Sequence, residues 1–378
     1  MPDPSQRAAA LVDALRADAT ETDREGDYPE RSMALLHEAG LLSAPVPAVA
    51  GGESLGDAAR TLELLDTLAQ IGRGNLVVGR LYEGHVNALL LIERYGNPAQ
   101  RLRWAADAIA GRLFGVWNTE AAGGVTLHED RRGWRLEGAK TFASGCGHVE
   151  RALVTGERDG GGWQMLIVDT AAQPPQEDRQ FWQPLGMRAS ASFKAGFDGT
   201  RVDASDLLGA VGDYYREPQF SGGAVRFAAV QQGGIEAVFD ETRRFLSRLG
   251  RTDDAFQRLR AGEMAMAVEA GRLWLRGAAD SATIHATQPA QQVAYAGLMR
   301  SAIEASALQV LRLAERSVGA RGLLRPEIFE RLHRDLTHYL RQPAPDAVLV
   351  NAGAYALADA APASQLWSSP PSPRTGDA

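Results

Sequence analysis

The spacing of apolar residues changes twice along this 378-residue chain, and those two changes bound what it can fold into. Up to about residue 111, apolar groups recur at three- and four-residue intervals: Ala9, Leu11 and Leu15, then Met33, Leu35 and Leu36, then Leu62, Leu64, Leu65 and Leu68. Such spacing collects apolar groups on one face of a helix, and it predicts four or five helices. One of them runs over 81–95 and stops at Gly96-Asn97-Pro98, where glycine favours a helix end and proline cannot continue one. The stretch 40–50, with Pro45 and Pro47 leading into Gly51-Gly52, reads as an extended connection, because a proline biases its predecessor away from the α region.

Near Arg112 the pattern shortens. Apolar runs at 113–117, 134–136, 152–155, 163–168 and 194–197 lie between Gly, Asp and Pro clusters, as the strands of a small sandwich or barrel do. Past Tyr214 the helical period returns and lasts to about Leu357. Leu259, Met264, Val268 and Leu275 are expected on one helix face, and Leu298, Ala302, Ala305, Gln309 and Arg312 mark another long helix. Alanine-rich surfaces with few breakers suit a closely packed four-helix bundle. The expected fold is α+β and mostly α, with an N-terminal helical domain (1–111), a central β domain (112–212) and a C-terminal bundle (213–360). A flexible, Pro/Ser-rich tail is expected over 361–378.

Composition narrows the function classes. With 45% hydrophobic and 23% charged residues the chain can bury a large core, and its net charge of -7 offers no general attraction to nucleic acid or to an anionic membrane. The single cysteine, Cys146, leaves no internal disulfide framework and no CxxC metal site, which fits a reducing cytoplasm. No apolar run reaches the ~18 residues of a membrane span, and the first thirty residues lack the order of a signal peptide. A cytoplasmic protein with no nucleic-acid or membrane partner is expected.

Five phrases occur in the order found in the acyl-CoA dehydrogenase superfamily. EAGLLSAPVPAVAGGESLG resembles its Gly-Leu…Pro…Gly-Gly segment; NTEAAGG at 118–124 resembles its flavin-contact turn; WRLEGAKTFASG at 134–145 resembles the strand pair beside the flavin. LGMRASAS through DLLG is similar to the close of its β domain, and RGLLRPEIFERLHRDL at 321–336 to its last helices. The resemblance covers nearly the whole chain. It implies the fold order already read, an FAD cofactor (with FMN or reduced flavin as alternatives), and a homodimer or homotetramer that completes the cofactor site between subunits. It also implies a small-molecule substrate such as an acyl-CoA, and either an electron-transfer flavoprotein or a flavin reductase as partner.

A flavin ring needs polar groups at its hydrogen-bonding edge and an apolar face that excludes water. By resemblance, Thr119 and Ser144 hydrogen-bond the ring, Phe142 packs on it, and Trp117 and Asn118 flank it. For the dinucleotide half, the family's Gln followed by a Gly-Gly turn corresponds to Arg316 with Gly319 and Ala320, so Gln has become Arg and a Gly has become Ala. Arg248 or Arg251 and Gln257 match the segment that the family supplies from a neighbouring subunit. Without the resemblance these residues read as strand-edge hydroxyls, core aromatics and solvated charges.

The catalytic carboxylate of the dehydrogenases, counted from Arg334, falls on Pro343, which cannot accept a proton; Asp346 is three residues too late. Glu217 and Glu236, near the first bundle helix, are the alternative bases. The FASG phrase is closer to the flavin-dependent monooxygenases of the same superfamily, which take reduced flavin from a partner reductase and need no α-proton base. On that reading Ser144 and His85 become the candidate catalytic groups, with His338 as a further histidine. Three functions therefore stand open: FAD-dependent oxidation of an acyl thioester, a monooxygenase fed by reduced flavin, and a non-catalytic binding descendant.

Overall fold

A computed structural model describes residues 2–120, 124–284 and 286–367. Five helices come first: α1 (Pro4–Glu25), α2 (Glu30–Glu38), α3 (Thr61–Gly74), α4 (Leu76–Tyr95) and α5 (Pro98–Ile109). Asn75 caps α4, its side-chain oxygen accepting from the Val77 and Val78 N–H groups at 3.0 and 3.4 Å. Gly96-Asn97-Pro98 both ends α4 and starts α5, since Asn97 and Gln100 form a reciprocal capping box and Pro98 sits in the first turn. The stretch 40–50 is not extended: it is a series of tight turns closing in a short 3-10 helix at Ala48–Ala50, and Ser54 and Leu55 N–H groups bond back to Val46 and Ala44.

The central region contains β1 (Phe114–Trp117), β2 (Thr126–Asp130), β3 (Gly133–Glu137), β4 (Ala139–Ala143), β5 (Arg151–Arg158) and β6 (Trp163–Asp169). Four shorter strands follow: β7 (Gln176–Asp178), β8 (Phe193–Gly196), β9 (Arg201–Val202) and β10 (Leu207–Leu208). One sheet has the order β10-β6-β5-β2-β3-β9 with β1 also paired to β5, and a second is β4-β8-β7. The five apolar runs expected as strands fall on β1, β3, β5, β6 and β8. Helices α6 (Gln219–Arg248), α7 (Ala255–Ile284), α8 (Pro289–Gly322), α9 (Ile328–Tyr339) and α10 (Pro345–Ala358) complete the chain.

Helix α3 packs along α6, which joins the N-terminal helices to the bundle. Glycines make the approach possible: a Cβ on Gly72 would lie 2.4 Å from the Val230 carbonyl, and one on Gly233 would lie 2.0 Å from that of Ala69. One hydrophobic core therefore runs from Leu15 and Leu65 through Trp117 and Ala195 to Ile235, Ile303 and Leu336. Leu259 corrects the expected face of α7. Met264, Val268 and Leu275 are buried, but Leu259 is exposed on the opposite side. Of the expected tail, residues 361–367 fold back, with Trp367 stacked on Tyr355 and the Leu366 carbonyl accepting from Gln291; residues 368–378 lie outside the described residues. No helix among the described residues is long and apolar enough to cross a membrane.

Candidate functional site

The FASG phrase forms the outer end of β4. The pairing of β4 with β8 slips between Lys140 and Ala143, and at the slip Phe142 adopts φ +53°, a conformation that L side chains rarely take. The bulge turns the Phe142 ring outward, half-exposed, beside Phe181 and Trp182. Thr119 lies next to it: its carbonyl accepts from the Thr141 N–H at 2.9 Å, and its side chain is exposed. Behind them the Ser144 hydroxyl is 2.8 Å from that of Ser192, which is 2.7 Å from that of Ser190, so three hydroxyls form a chain ending at the cleft. The structure thus brings Thr119, Phe142 and Ser144 together on adjacent backbone.

Trp117 and Asn118 hold this edge from behind. The Trp117 ring is buried against Phe197 and its indole N–H donates to the Ser144 carbonyl at 3.0 Å, so it positions Ser144 and presents no face to a ligand. Asn118 uses its side-chain oxygen to accept from Thr155 and Tyr215. Lys140, fully buried, donates to the Asn118 carbonyl, Glu120 and Thr155, and burial pulls its pKa down. Ala121, Ala122 and Gly123 of the NTEAAGG phrase lie outside the described residues.

Three groups expected as proton-transfer candidates are engaged by protein partners. His85 is completely buried; its Nδ1 accepts from the Phe114 N–H at 3.1 Å and its Nε2 donates to the Leu42 carbonyl at 2.7 Å. Both nitrogens are used by backbone, and burial pushes its pKa down to about 4, so it is a neutral structural ring. Glu236 is buried in an ion pair with Arg272 at 2.9 Å. Glu217 bonds to Ser221 at the exposed start of α6. Cys146 is buried and its thiol pKa is pushed up to about 12, which makes it inert. His338 stands with its ring 5.4 Å from Trp182, at the mouth, with its pKa lowered by burial.

Pro343 lies in the turn between α9 and α10, where its carbonyl accepts from Arg300 at 2.7 Å; Asp346 is exposed in the first turn of α10. A buried carboxylate that sequence reasoning missed stands beside Arg80, a wall of the Ser144 cavity. On α4, Glu83 pairs with Arg80 at 2.5 Å and accepts from the Asn87 amide, and Asn87 accepts in turn from Arg226 of α6. Arg80 and Gly84 line a narrow cavity with Leu81, Phe114, Gly115, Val116, Val149 and Ser144. Polar residues at 80, 83 and 87 repeat at helical spacing within a mostly apolar helix, and that pattern is the signal that could have found them.

The residues expected at the dinucleotide half gather elsewhere, on the bundle. Gln257 opens α7, Arg316, Gly319 and Ala320 close α8, and Arg260 links the two ends by donating to the Arg316 carbonyl at 3.3 Å. Gly319 breaks the helix with φ 61°, and the Gln257 side-chain oxygen is buried without a partner among the described residues. Arg248 is engaged with Glu241 and Glu327, and Arg251 with Asp254.

The two long phrases that close the β domain and the bundle meet each other. A Cβ on Gly186 would lie 2.1 Å from the Arg334 carbonyl, and the Met187 N–H donates to the Asp335 carboxylate at 2.7 Å. Arg334 pairs with Asp23 of α1 at 2.7 Å and with Glu330. The Gly-Met and Arg-Asp pairs are thus the clasp between domains that frames the cleft.

With this architecture in view, the N-terminal domain of acyl-CoA dehydrogenases matches residues 6–112 and their C-terminal domain residues 212–339. The chain belongs to the acyl-CoA dehydrogenase superfamily. It is 24% identical to a probable FMNH2-dependent monooxygenase, SfnC, of Pseudomonas putida, over 96% of each chain. It is 27% identical to a 3-sulfinopropanoyl-CoA desulfinase of Variovorax paradoxus, over 70% of this chain and 71% of that one. Its fold matches the structure of TdsC from Paenibacillus sp. A11-2 in complex with FMN and indole, with a TM-score of 0.80, 20% identity and coverage of 97% and 100%.

Proposed function

We propose that this chain is a flavin-dependent monooxygenase that uses reduced FMN from a partner flavin reductase. The observation that carries the reading is the state of the carboxylates. A dehydrogenase of acyl thioesters needs a free carboxylate facing the substrate α-carbon. The expected position is Pro343, and Glu83, the carboxylate paired with the cavity residue Arg80, is also held by Asn87. The monooxygenase relative, matched over nearly the whole chain, supports the same reading.

The residues present suit a flavin ring. Phe142, strained and half-exposed, offers an apolar face; Thr119 and Ser144 offer hydroxyls at its edge, and the Ser190–Ser192 chain orients the Ser144 proton. When bound as the reduced form, flavin supplies the electrons for oxygen activation. The chain's own tasks are to hold the ring, exclude water behind Trp117 and Phe197, and present Ser144 Oγ as a donor or acceptor. FMN is preferred to FAD because the dinucleotide turn carries Arg316 and Ala320 in place of Gln and Gly, and because the structural relative holds FMN.

The test is an anaerobic titration with FMN, reduced FMN and FAD, followed by addition of butyryl-CoA. Tighter binding of reduced FMN and no bleaching of oxidised flavin by the thioester are expected. Bleaching by butyryl-CoA would return the chain to the dehydrogenases.

A further inference from the structure

Three serines of the central region carry hydroxyls in contact, and their burial differs. Ser144 Oγ is 2.8 Å from Ser192 Oγ, which is 2.7 Å from Ser190 Oγ. Ser190 and Ser192 are 1 and 3% exposed, whereas Ser144 is half-buried. Backbone bonds hold the two segments together: the Gly145 N–H donates to the Ser190 carbonyl at 2.8 Å and the Cys146 N–H to the Ala191 carbonyl at 3.1 Å. Between the two inner serines the chain turns at Ala191, with φ +44°, and both hydroxyls meet on one side of that turn. Neither inner hydroxyl has a further hydrogen-bond partner among the described residues.

Each hydroxyl carries one proton to donate and accepts through its lone pairs, so the two contacts allow three arrangements of the protons. With Ser144 donating to Ser192 and Ser192 to Ser190, the buried Ser190 proton has no acceptor. With Ser144 and Ser190 both donating to Ser192, the buried Ser192 proton has none. With Ser190 donating to Ser192 and Ser192 to Ser144, both buried protons are used, and only a lone pair of Ser190 is left over. An unused buried donor disfavours an arrangement by roughly five- to a hundredfold. The third order therefore dominates, and the one free proton belongs to Ser144, the serine at the cleft end.

We propose that Ser192, backed by Ser190, is a positioning residue that makes Ser144 a one-way hydrogen-bond donor, so that the ligand atom beside Ser144 must be an acceptor. Trp117 fixes the Ser144 backbone through its carbonyl, and Ser192 fixes its hydroxyl. On a flavin ring the matching atoms are the carbonyl oxygens and an unprotonated ring nitrogen; a ring N–H is a mismatch for a donor. The order of the protons stands on the serines alone, while its use towards a flavin rests on the function proposed above.

The first measurement is neutron diffraction from deuterium-exchanged crystals of the full chain without flavin. Deuterium on Ser190 Oγ directed at Ser192, and on Ser192 Oγ directed at Ser144, is expected; either of the other two arrangements overturns the proposal whatever the cofactor. The second compares Ser144→Ala, Ser192→Ala and the double variant by FMN affinity and by the midpoint potential of bound FMN. Ser192→Ala should change the ratio of reduced to oxidised FMN affinity in the same direction as Ser144→Ala, by about two- to tenfold, the effect of one hydrogen bond. The double variant should match Ser144→Ala alone, since Ser192 acts only through Ser144. A wild-type ratio in Ser192→Ala beside a shifted Ser144→Ala, or a double variant in which the two effects add, rejects Ser192 as a positioning residue. A wild-type ratio in Ser144→Ala takes the flavin away from Ser144 and removes the cofactor half of the proposal. A chain that binds no FMN sinks the flavin reading instead, and the neutron result then decides the proton order by itself, as it does if a variant fails to fold.

Discussion

At the scale of single residues, burial decides chemistry. His85 has the residue type of a catalytic acid, but two backbone groups occupy its nitrogens. Its folded pKa, about 4, lies below the unfolded value near 6.5. The unfolded chain therefore binds the proton first as the pH falls. The His85 contribution is complete above pH 6.5 and is lost on going down towards pH 4, a change of about 3 kcal/mol. Urea denaturation between pH 7 and 4.5 should show this loss, and His85→Gln should flatten it. At pH 7, His85→Ala should cost about 2 to 3 kcal/mol by leaving the Phe114 N–H and Leu42 carbonyl unpaired, with FMN affinity of the folded protein unchanged. A loss of flavin binding in that variant would restore His85 to the site. Phe142 is the opposite case: its φ of +53° stores strain of about 1 to 3 kcal/mol for a half-exposed ring. Phe142→Ala should leave stability within about 1 kcal/mol and weaken FMN binding about tenfold, as measured by fluorescence titration; unchanged affinity would remove Phe142 from the ring face.

At the scale of elements, α9 acts as a buckle. Its Asp335 accepts from the Met187 N–H and faces Arg331, and both side chains are nearly fully buried. Asp335→Ala leaves Arg331 as an uncompensated buried charge and frees the loop before β8, so a loss of about 3 to 5 kcal/mol is expected in urea denaturation. A loss below about 1 kcal/mol would show that the clasp contributes little. Helix α7 shows why its register was misread. Its buried face carries Met264, Val268 and Leu275, whereas Phe256, Leu259, Met266 and Leu273 are 71, 60, 74 and 55% exposed. Both stripes have helical period, and periodicity does not say which one meets the core.

At the scale of the molecule, that second stripe leaves large apolar side chains in water, and so does α10, where Leu349, Val350 and Leu357 are exposed. We propose that a second copy of the chain covers them, as the resemblance to a family that completes its cofactor site between subunits implies. Light scattering should give a dimer or tetramer, and Leu259→Glu combined with Met266→Glu should shift it towards monomer. A monomeric wild-type chain would reject the two-subunit site.

Sequence alone determined the order helix, strand, helix, because residue spacing of 3.6 or 2 is a local property that each segment carries by itself. It also located the FASG and NTE phrases, the Arg-Asp pair and the vacancy at Pro343, since these are read one position at a time. The tertiary structure decided the rest. It joined the three expected domains through one core, because glycines such as Gly72 and Gly233 let α3 and α6 touch across 160 residues of chain. It also set His85 between two backbone groups and Glu236 in an ion pair, and it assembled Arg80, Glu83, Asn87 and Arg226 from α4 and α6. Hydrogen-bond partners and burial depend on what the fold brings alongside a residue, and neither the spacing nor the type of that residue encodes its neighbours.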